Sequence, residues 1–354
     1  MTTRRCFVTG AAGFIGSAFV RAILRSLPDV EVVAFDKLTY AGNLDNLAPV
    51  AHDPHFSFIQ GDICDSARVL ASMQGCAWVV NFAAETHVDR SILDPGAFVR
   101  TDVVGAHVLL EAARSLGVER FIQISTDEVY GNAEAPSGES RPSLETDALN
   151  PRSPYAASKA GADRLAFSYW ATYGLPVVVT RCSNNYGPYQ YPEKQLPLFI
   201  INALAGRALP IYGDGEHTRD WIHVDDHCSA LLAILRAPAE RVIGETFNIG
   251  SDEERSSLQN ARSVLALTGA PDSLMTFTSD RLGHVRRHAV NSAKLRRALD
   301  WRPARRFDDG LGELVEWYRD HPGWLGRVLA RRDAFLKAAL LRASVEATER
   351  PVSV

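Results

Sequence analysis

Cysteine is scarce in this 354-residue chain. Cys6, Cys64, Cys76, Cys182 and Cys228 are odd in number and scattered, and none forms a CxxC pair. That spacing argues against a disulfide framework and against the common zinc motifs. It predicts a reducing, cytoplasmic setting. Long apolar runs are also missing. No stretch approaches the ~20 residues that span a bilayer. Arg4 and Arg5 precede only a short apolar run broken by Gly10, which does not read as a signal peptide. Neither sign of charge dominates: 38 basic residues against 42 acidic ones leave a net −4. No membrane and no nucleic-acid partner is therefore expected. What is present is an ordinary globular composition, 46% hydrophobic and 23% charged.

The first half alternates short apolar runs with helical periodicity. Strands are expected at Cys6–Thr9, Glu31–Phe35, Phe56–Ile59, Trp78–Phe82, Phe121–Ser125 and Val177–Thr180. Helical spacing lies between them, as from Phe14 to Leu27 and from Val104 to Leu116. Near-continuous apolar strands alternating with helices predict an α/β fold, a Rossmann-type doubly wound parallel sheet covered on both faces. After about residue 185 proline and glycine break the pattern often. The expected division is a nucleotide-binding domain over 1–185, to which some later segments return, a smaller C-terminal α/β substrate lobe over 186–322, and a helical extension over 323–354. From Trp324 to Ala347 apolar residues roughly follow helical spacing, with arginines beside them. This reads as a terminal helix packed on the surface, with a membrane-surface or partner helix as the alternative.

Gly10-Ala-Ala-Gly13-Phe-Ile-Gly16 follows the first strand directly and opens a helix. Glycines there permit a tight turn and close approach of a pyrophosphate, and the helix N-terminus offers N–H groups and a positive dipole end. The spacing is GxxGxxG, not the common GxGxxG. Asp36 ends the second strand. A carboxylate there accepts from ribose hydroxyls and repels a 2′-phosphate, which favours NAD over NADP. Asp62-Ile63 reads either as an adenine contact or as a loop aspartate ahead of a helix. Tyr155 and Lys159 stand one helical turn apart on one face. A nearby ammonium lowers a phenol's pKa, so Tyr155 is a candidate base for a hydroxyl proton. Thr126, Asp127 and Glu128 follow the fifth strand, where ligands of open α/β sheets bind.

Taken together, GAAGFIGS, FDKLTYAGNLDNL, GDICD, FAAETHVDRSI, STDEVYG, SPYAASKA, RCSNNYGPYQYPEK, LPIYGDGEHTRDWIHVDDH, NIG and DRLGHVRR resemble the nucleotide-sugar 4,6-dehydratases of the extended short-chain dehydrogenase/reductase superfamily. The resemblance covers residues ~5–320, and STDEVYG is its discriminating stretch. It implies that NAD-dependent oxidation at C4 of a nucleoside-diphosphate glucose acidifies C5, that water leaves from C5–C6, and that hydride returns to C6. It assigns Tyr155 to the O4 proton, Glu128 to the C5 proton, Asp127 to the departing C6 hydroxyl and Thr126 to the C4 oxygen, with Lys159 beside the nicotinamide ribose. Adjacent negative charge and partial burial would keep Asp127 protonated. Further cofactor contacts implied are Phe14, Ile15, Lys37, Leu38, Thr39, Asp62, Ile63, Phe82, Ala83, Ala84, Thr86, Thr101 and Asn185. Substrate contacts implied are Thr86, Thr126, Asn184, Lys194, Gln195, Pro210, Ile211, Tyr212, Arg219, Asp280, Arg281 and His284. The expected substrate is dTDP-glucose, with UDP-glucose as the alternative nucleotide and a nucleotide-sugar epimerase or oxidoreductase as the alternative activity. A homodimer through the helices near Val104–Leu116 and Tyr155–Tyr173 is also implied. No metal is expected, since His87, His107, His217, His223 and His227 show no ligand spacing along the chain.

Overall fold

The computed structural model describes residues 4–134, 137–280 and 282–331. Thirteen strands are seen among them: β1 (Arg4–Thr9), β2 (Val30–Asp36), β3 (Phe56–Gln60), β4 (Trp78–Asn81), β5 (Arg120–Thr126), β6 (Val177–Cys182), β7 (Asn184–Tyr186), β8 (Leu209–Tyr212), β9 (Thr218–His223), β10 (Thr246–Ile249), β11 (Glu254–Ser256), β12 (Met275–Thr278) and β13 (Arg287–His288). Seven form one sheet in the order β10-β6-β5-β4-β1-β2-β3, with every pair parallel. The doubly wound parallel sheet expected from the sequence is thus present. All six expected strands lie in it. The seventh, β10, comes from far down the chain.

The apolar strands serve two cores at once because side chains alternate across a strand. Cys6, Val8, Val32, Ala34, Val80 and Ile122 face one layer. Phe7, Val33, Phe35, Val79 and Phe121 face the other. The helices Phe14–Ser26 and Val224–Arg236 cover the first layer; Gly105–Leu116 and Pro154–Tyr173 cover the second. A third cluster joins Tyr186, Phe199, Ile211, Trp221, Val264 and Leu314. It packs beside β9, which pairs with β7, β11 and β13, and beside the β8–β12 pair. Among the described residues, no helix is long and apolar enough to cross a membrane.

The sheet order reverses between β1 and β4, the crevice where such sheets bind ligands. The helix Pro154–Tyr173 starts sharply. Ser153 accepts from the Ala156 N–H at 3.1 Å, and Pro154 occupies the first turn, where its missing N–H is harmless. That start fixes Tyr155 and Lys159 opposite the end of β5.

Candidate active site

One cavity of about 650 Å³ runs from the glycine turn after β1 to the ends of β5 and β9. It gathers every site residue named from the sequence except Leu38, Ile211, Asp280 and Arg281. Leu38 packs against the first core layer, and its N–H donates to Asp36. Ile211 is fully buried in the third cluster. Asp280 stands behind His284, accepting from that ring at 2.6 Å. Arg281 lies outside the described residues.

The cofactor end is made by backbone. Gly10 has φ +62°, and a Cβ on it would sit 2.7 Å from the Ala83 nitrogen, so only glycine fits. The helix Phe14–Ser26 begins with no side-chain cap and no acid in its first turn. Such an end suits an anion. Asp36 accepts from the Ala12 N–H at 2.9 Å and from the Leu38 N–H at 2.7 Å. Burial pushes its pKa up, opposed by those two bonds. Asp62 accepts from Lys37 at 2.7 Å and from the Cys64 N–H at 2.9 Å. Burial works against these bonds, but they prevail and hold its carboxyl below the ordinary range. The room left by the glycines, the uncapped helix start and the carboxylate at the end of β2 fit a dinucleotide.

The reactive end is made by side chains. Thr126 closes β5 and caps the short helical turn Asp127–Tyr130, accepting from the Glu128 N–H at 3.3 Å. Its hydroxyl also donates to Asp127 Oδ1 at 3.1 Å. Asp127 is 3% exposed, and its Oδ2 has no partner among the described residues. Burial first, then the charge of Glu128, push its pKa up to about 8, with Arg219 opposing. Asp127 is therefore mostly protonated at neutral pH, as an acid for a leaving hydroxyl must be. Lys159 is buried and donates to the Ile124 carbonyl at 2.7 Å; burial lowers its pKa while Asp102 opposes.

Tyr155 departs from expectation. The Lys159 ammonium was to lower its pKa, yet in this structure the phenol sits well above its ordinary value. Burial is the main cause, and Glu128, Asp102 and Asp127 add negative charge around it. The reason is geometric: the Lys159 ammonium is turned onto the Ile124 carbonyl.

Asp102, outside the cavity lining, is a positioning residue that sequence reasoning missed. It accepts from the Ser158 hydroxyl at 2.6 Å and the Glu85 N–H at 2.8 Å. Burial raises its pKa to about 6, with Lys159 opposing. It therefore ties the Tyr155 helix to the loop that carries Thr86. Nothing local marks it, because it arrives from a separate helical segment, Val99–Val104.

Toward β9, Lys194 donates to the Thr86 hydroxyl at 3.0 Å, and Gln195 is held by Ser257 and Asn260 at 2.7 and 3.1 Å. His217, also unforeseen, stacks on His284 with ring centroids 3.7 Å apart. Ligand-type atoms of His217, Asp280 and His284 lie within 4.8 Å of one another, a cluster invisible to spacing along the chain. Cationic Lys194 and Arg219 in the cavity lining suit a diphosphate.

Residues 7–314 match the family model described as GDP-mannose 4,6 dehydratase. The chain is similar to the dTDP-glucose 4,6-dehydratase of Neisseria meningitidis serogroup B, with 47% identity over 92% of this chain and 96% of that protein. It is similar to the crystal structure of DesIV, a dTDP-glucose 4,6-dehydratase from Streptomyces venezuelae with NAD bound. There the TM-score is 0.86 and the identity 46%, over 90% of this chain and 98% of that one. A UDP-glucuronic acid 4-epimerase from Bacillus cereus shares the fold at a TM-score of 0.83 but only 28% identity, over 89% of this chain and 99% of that one.

Proposed function

This chain belongs to the nucleotide-sugar 4,6-dehydratase family, among its dTDP-glucose members, and we propose that Thr126, Asp127, Glu128, Tyr155 and Lys159 carry the family's reaction in it. It is an NAD-dependent hydro-lyase that dehydrates dTDP-glucose to the 4-keto-6-deoxy sugar. NAD, when bound, supplies the reversible two-electron chemistry that oxidises C4 and later reduces C6. Tyr155 takes the O4 proton, a role that requires the positive charges of Lys159 and of bound NAD to offset the burial and carboxylates that raise its pKa here. Lys159 anchors the helix face on which Tyr155 stands and meets the nicotinamide ribose. Thr126 holds the C4 oxygen. Glu128 removes the C5 proton once the neighbouring carbonyl has acidified it, and Asp127 passes its proton to the departing C6 hydroxyl.

The observation that carries these assignments is the buried Asp127 carboxyl, its Oδ2 without a partner among the described residues, beside Glu128 in the cavity that also holds Tyr155; burial and the Glu128 charge raise its pKa. An epimerase has no leaving hydroxyl and no use for such an acid. Lys194, Arg219 and His284 take the diphosphate in this reading. We divide the chain accordingly: 1–185 with β10 for the dinucleotide, 186–322 for the sugar nucleotide. Exposed Val99 and Val104, just ahead of the helix Gly105–Leu116, and Tyr173 at the end of Pro154–Tyr173 support a homodimer through those helices. Five free cysteines support a cytoplasmic setting.

The test is mass spectrometry of the purified protein incubated separately with dTDP-glucose and UDP-glucose, without added NAD. Loss of one water from dTDP-glucose, with no net NADH, is the expected result. An unchanged mass with isomerised sugar would move the chain to the epimerases.

A further inference from the structure

The described chain ends in a helix over 322–331, and that helix reaches back to the first turn of the fold. Trp324 and Val328 are 6% and 2% exposed and line the same cavity as the glycine turn. Trp324 Nε1 donates to Asn46 Oδ1 at 3.0 Å, and Asn46 Nδ2 donates to the Ala12 carbonyl at 3.0 Å. Arg331 donates to Asn43 Oδ1 at 2.7 Å, and the Asn43 N–H donates to the same Ala12 carbonyl at 3.0 Å. Ala12 lies between Gly10 and Gly13. Both asparagines that hold the phosphate-side turn are thus held in place by the helix over 322–331.

Asn43 has one end left over. Its Oδ1 accepts from two donors, Arg331 and the Asp45 N–H at 3.1 Å, which fixes the orientation of the amide. Its Nδ2 is therefore the other end. It is buried and has no partner among the described residues, in a side chain that is 6% exposed and lines the cavity. A buried donor without an acceptor destabilises the protein unless something fills the place.

Building on the cofactor reading above, we propose that Asn43 is a dinucleotide-binding residue whose Nδ2 donates to an acceptor oxygen of the cofactor, phosphate or ribose, and that Arg331 and Trp324 are the positioning residues that aim it. The helix over 322–331 then serves to retain the cofactor from one turnover to the next; the rest of the extension expected over 323–354 lies outside the described residues.

Three variants test this. Asn43→Asp keeps an oxygen for Arg331 and the Asp45 N–H but replaces the inward donor with an acceptor. Arg331→Ala releases the amide from outside the cavity. Trp324→Phe removes one N–H and keeps the aromatic packing. The readouts are NAD content after purification, the NAD dissociation rate and the melting temperature of the NAD-free protein. The wild type is expected to copurify with NAD. Asn43→Asp should release it at least tenfold faster. Arg331→Ala and Trp324→Phe should each do so about three- to fivefold faster, the scale of one oriented hydrogen bond. Release at the wild-type rate from both Asn43→Asp and Arg331→Ala overturns the proposal, whatever happens to the melting temperature. A wild type that neither carries nor takes up NAD would instead overturn the cofactor reading itself.

Discussion

At the end of β1 the cavity is shaped by what is missing: a Cβ at Gly10, a side-chain cap at Gly13, an acid in the first helical turn. At the end of β5 it is shaped by what is crowded together: Asp127, Glu128 and Tyr155, with Asp102 behind them, where Glu128 raises the pKa of Asp127 and all three carboxyl groups raise that of Tyr155. The first end works by close approach, so it tolerates no added atom. The second works by burial and charge, so an isosteric change that alters one proton is enough to disable it. Shape should therefore dominate the response of the cofactor end, and protonation that of the reactive end.

The largest effect should come from Asp127→Asn, which keeps the shape and removes the proton. Turnover in the water-loss assay should fall by about 10²–10⁴-fold. The melting temperature at neutral pH should hold or rise, because folding no longer has to protonate a carboxyl that is ionised in the unfolded chain. A parallel loss of stability would show that Asp127 is structural and would collapse the comparison. Next is Gly10→Ala. Positive φ and a contact at 2.7 Å predict a cost of about 1–3 kcal/mol together with lost NAD, read by denaturant titration and cofactor content.

The pH profile comes third. The acid form of Asp127 is the active one, so turnover should decline above pH 8, about tenfold per unit, with no matching loss of bound NAD. The sign for stability follows from linkage. Folding raises this pKa from its ordinary 3.8 to about 8, so the folded state binds more protons between those values. Its contribution to stability is largest at low pH and shrinks as pH rises from about 4 to about 8. Asp127→Asn should flatten that slope. The smallest effect is expected at Arg4→Ala. Arg4 and Glu119 pair at 3.2 Å with both side chains about half exposed, so the change should be within about 1 kcal/mol.

The same contrast governs what could be read from the sequence. Gly10, Gly13, Gly16 and Asp36 act through local backbone geometry, and their chemistry is legible where they stand. Tyr155 and Lys159 were legible as a helical pair. The direction of the Tyr155 shift was not, because Glu128 and Asp102 reach it from other elements. Resemblance located Leu38, Ile211 and Asp280 near the site but could not say that Leu38 and Ile211 pack into core layers or that Asp280 pairs with His284. Asp102 and Trp324 carry no motif at all, and Asn43 sits inside the stretch FDKLTYAGNLDNL without being marked there as a contact. Their importance comes from partners remote in sequence, such as Ser158 for Asp102 and Asn46 for Trp324.

The large sheet is finished out of turn. β10 follows β9 in the chain, yet it lies beside β6. While a nascent chain is being made, β6 offers an open row of N–H and C=O groups until Ile249 has left the ribosome. Any product cut short before Thr246 keeps that edge exposed, and self-association, sooner than a catalytic defect, would betray it.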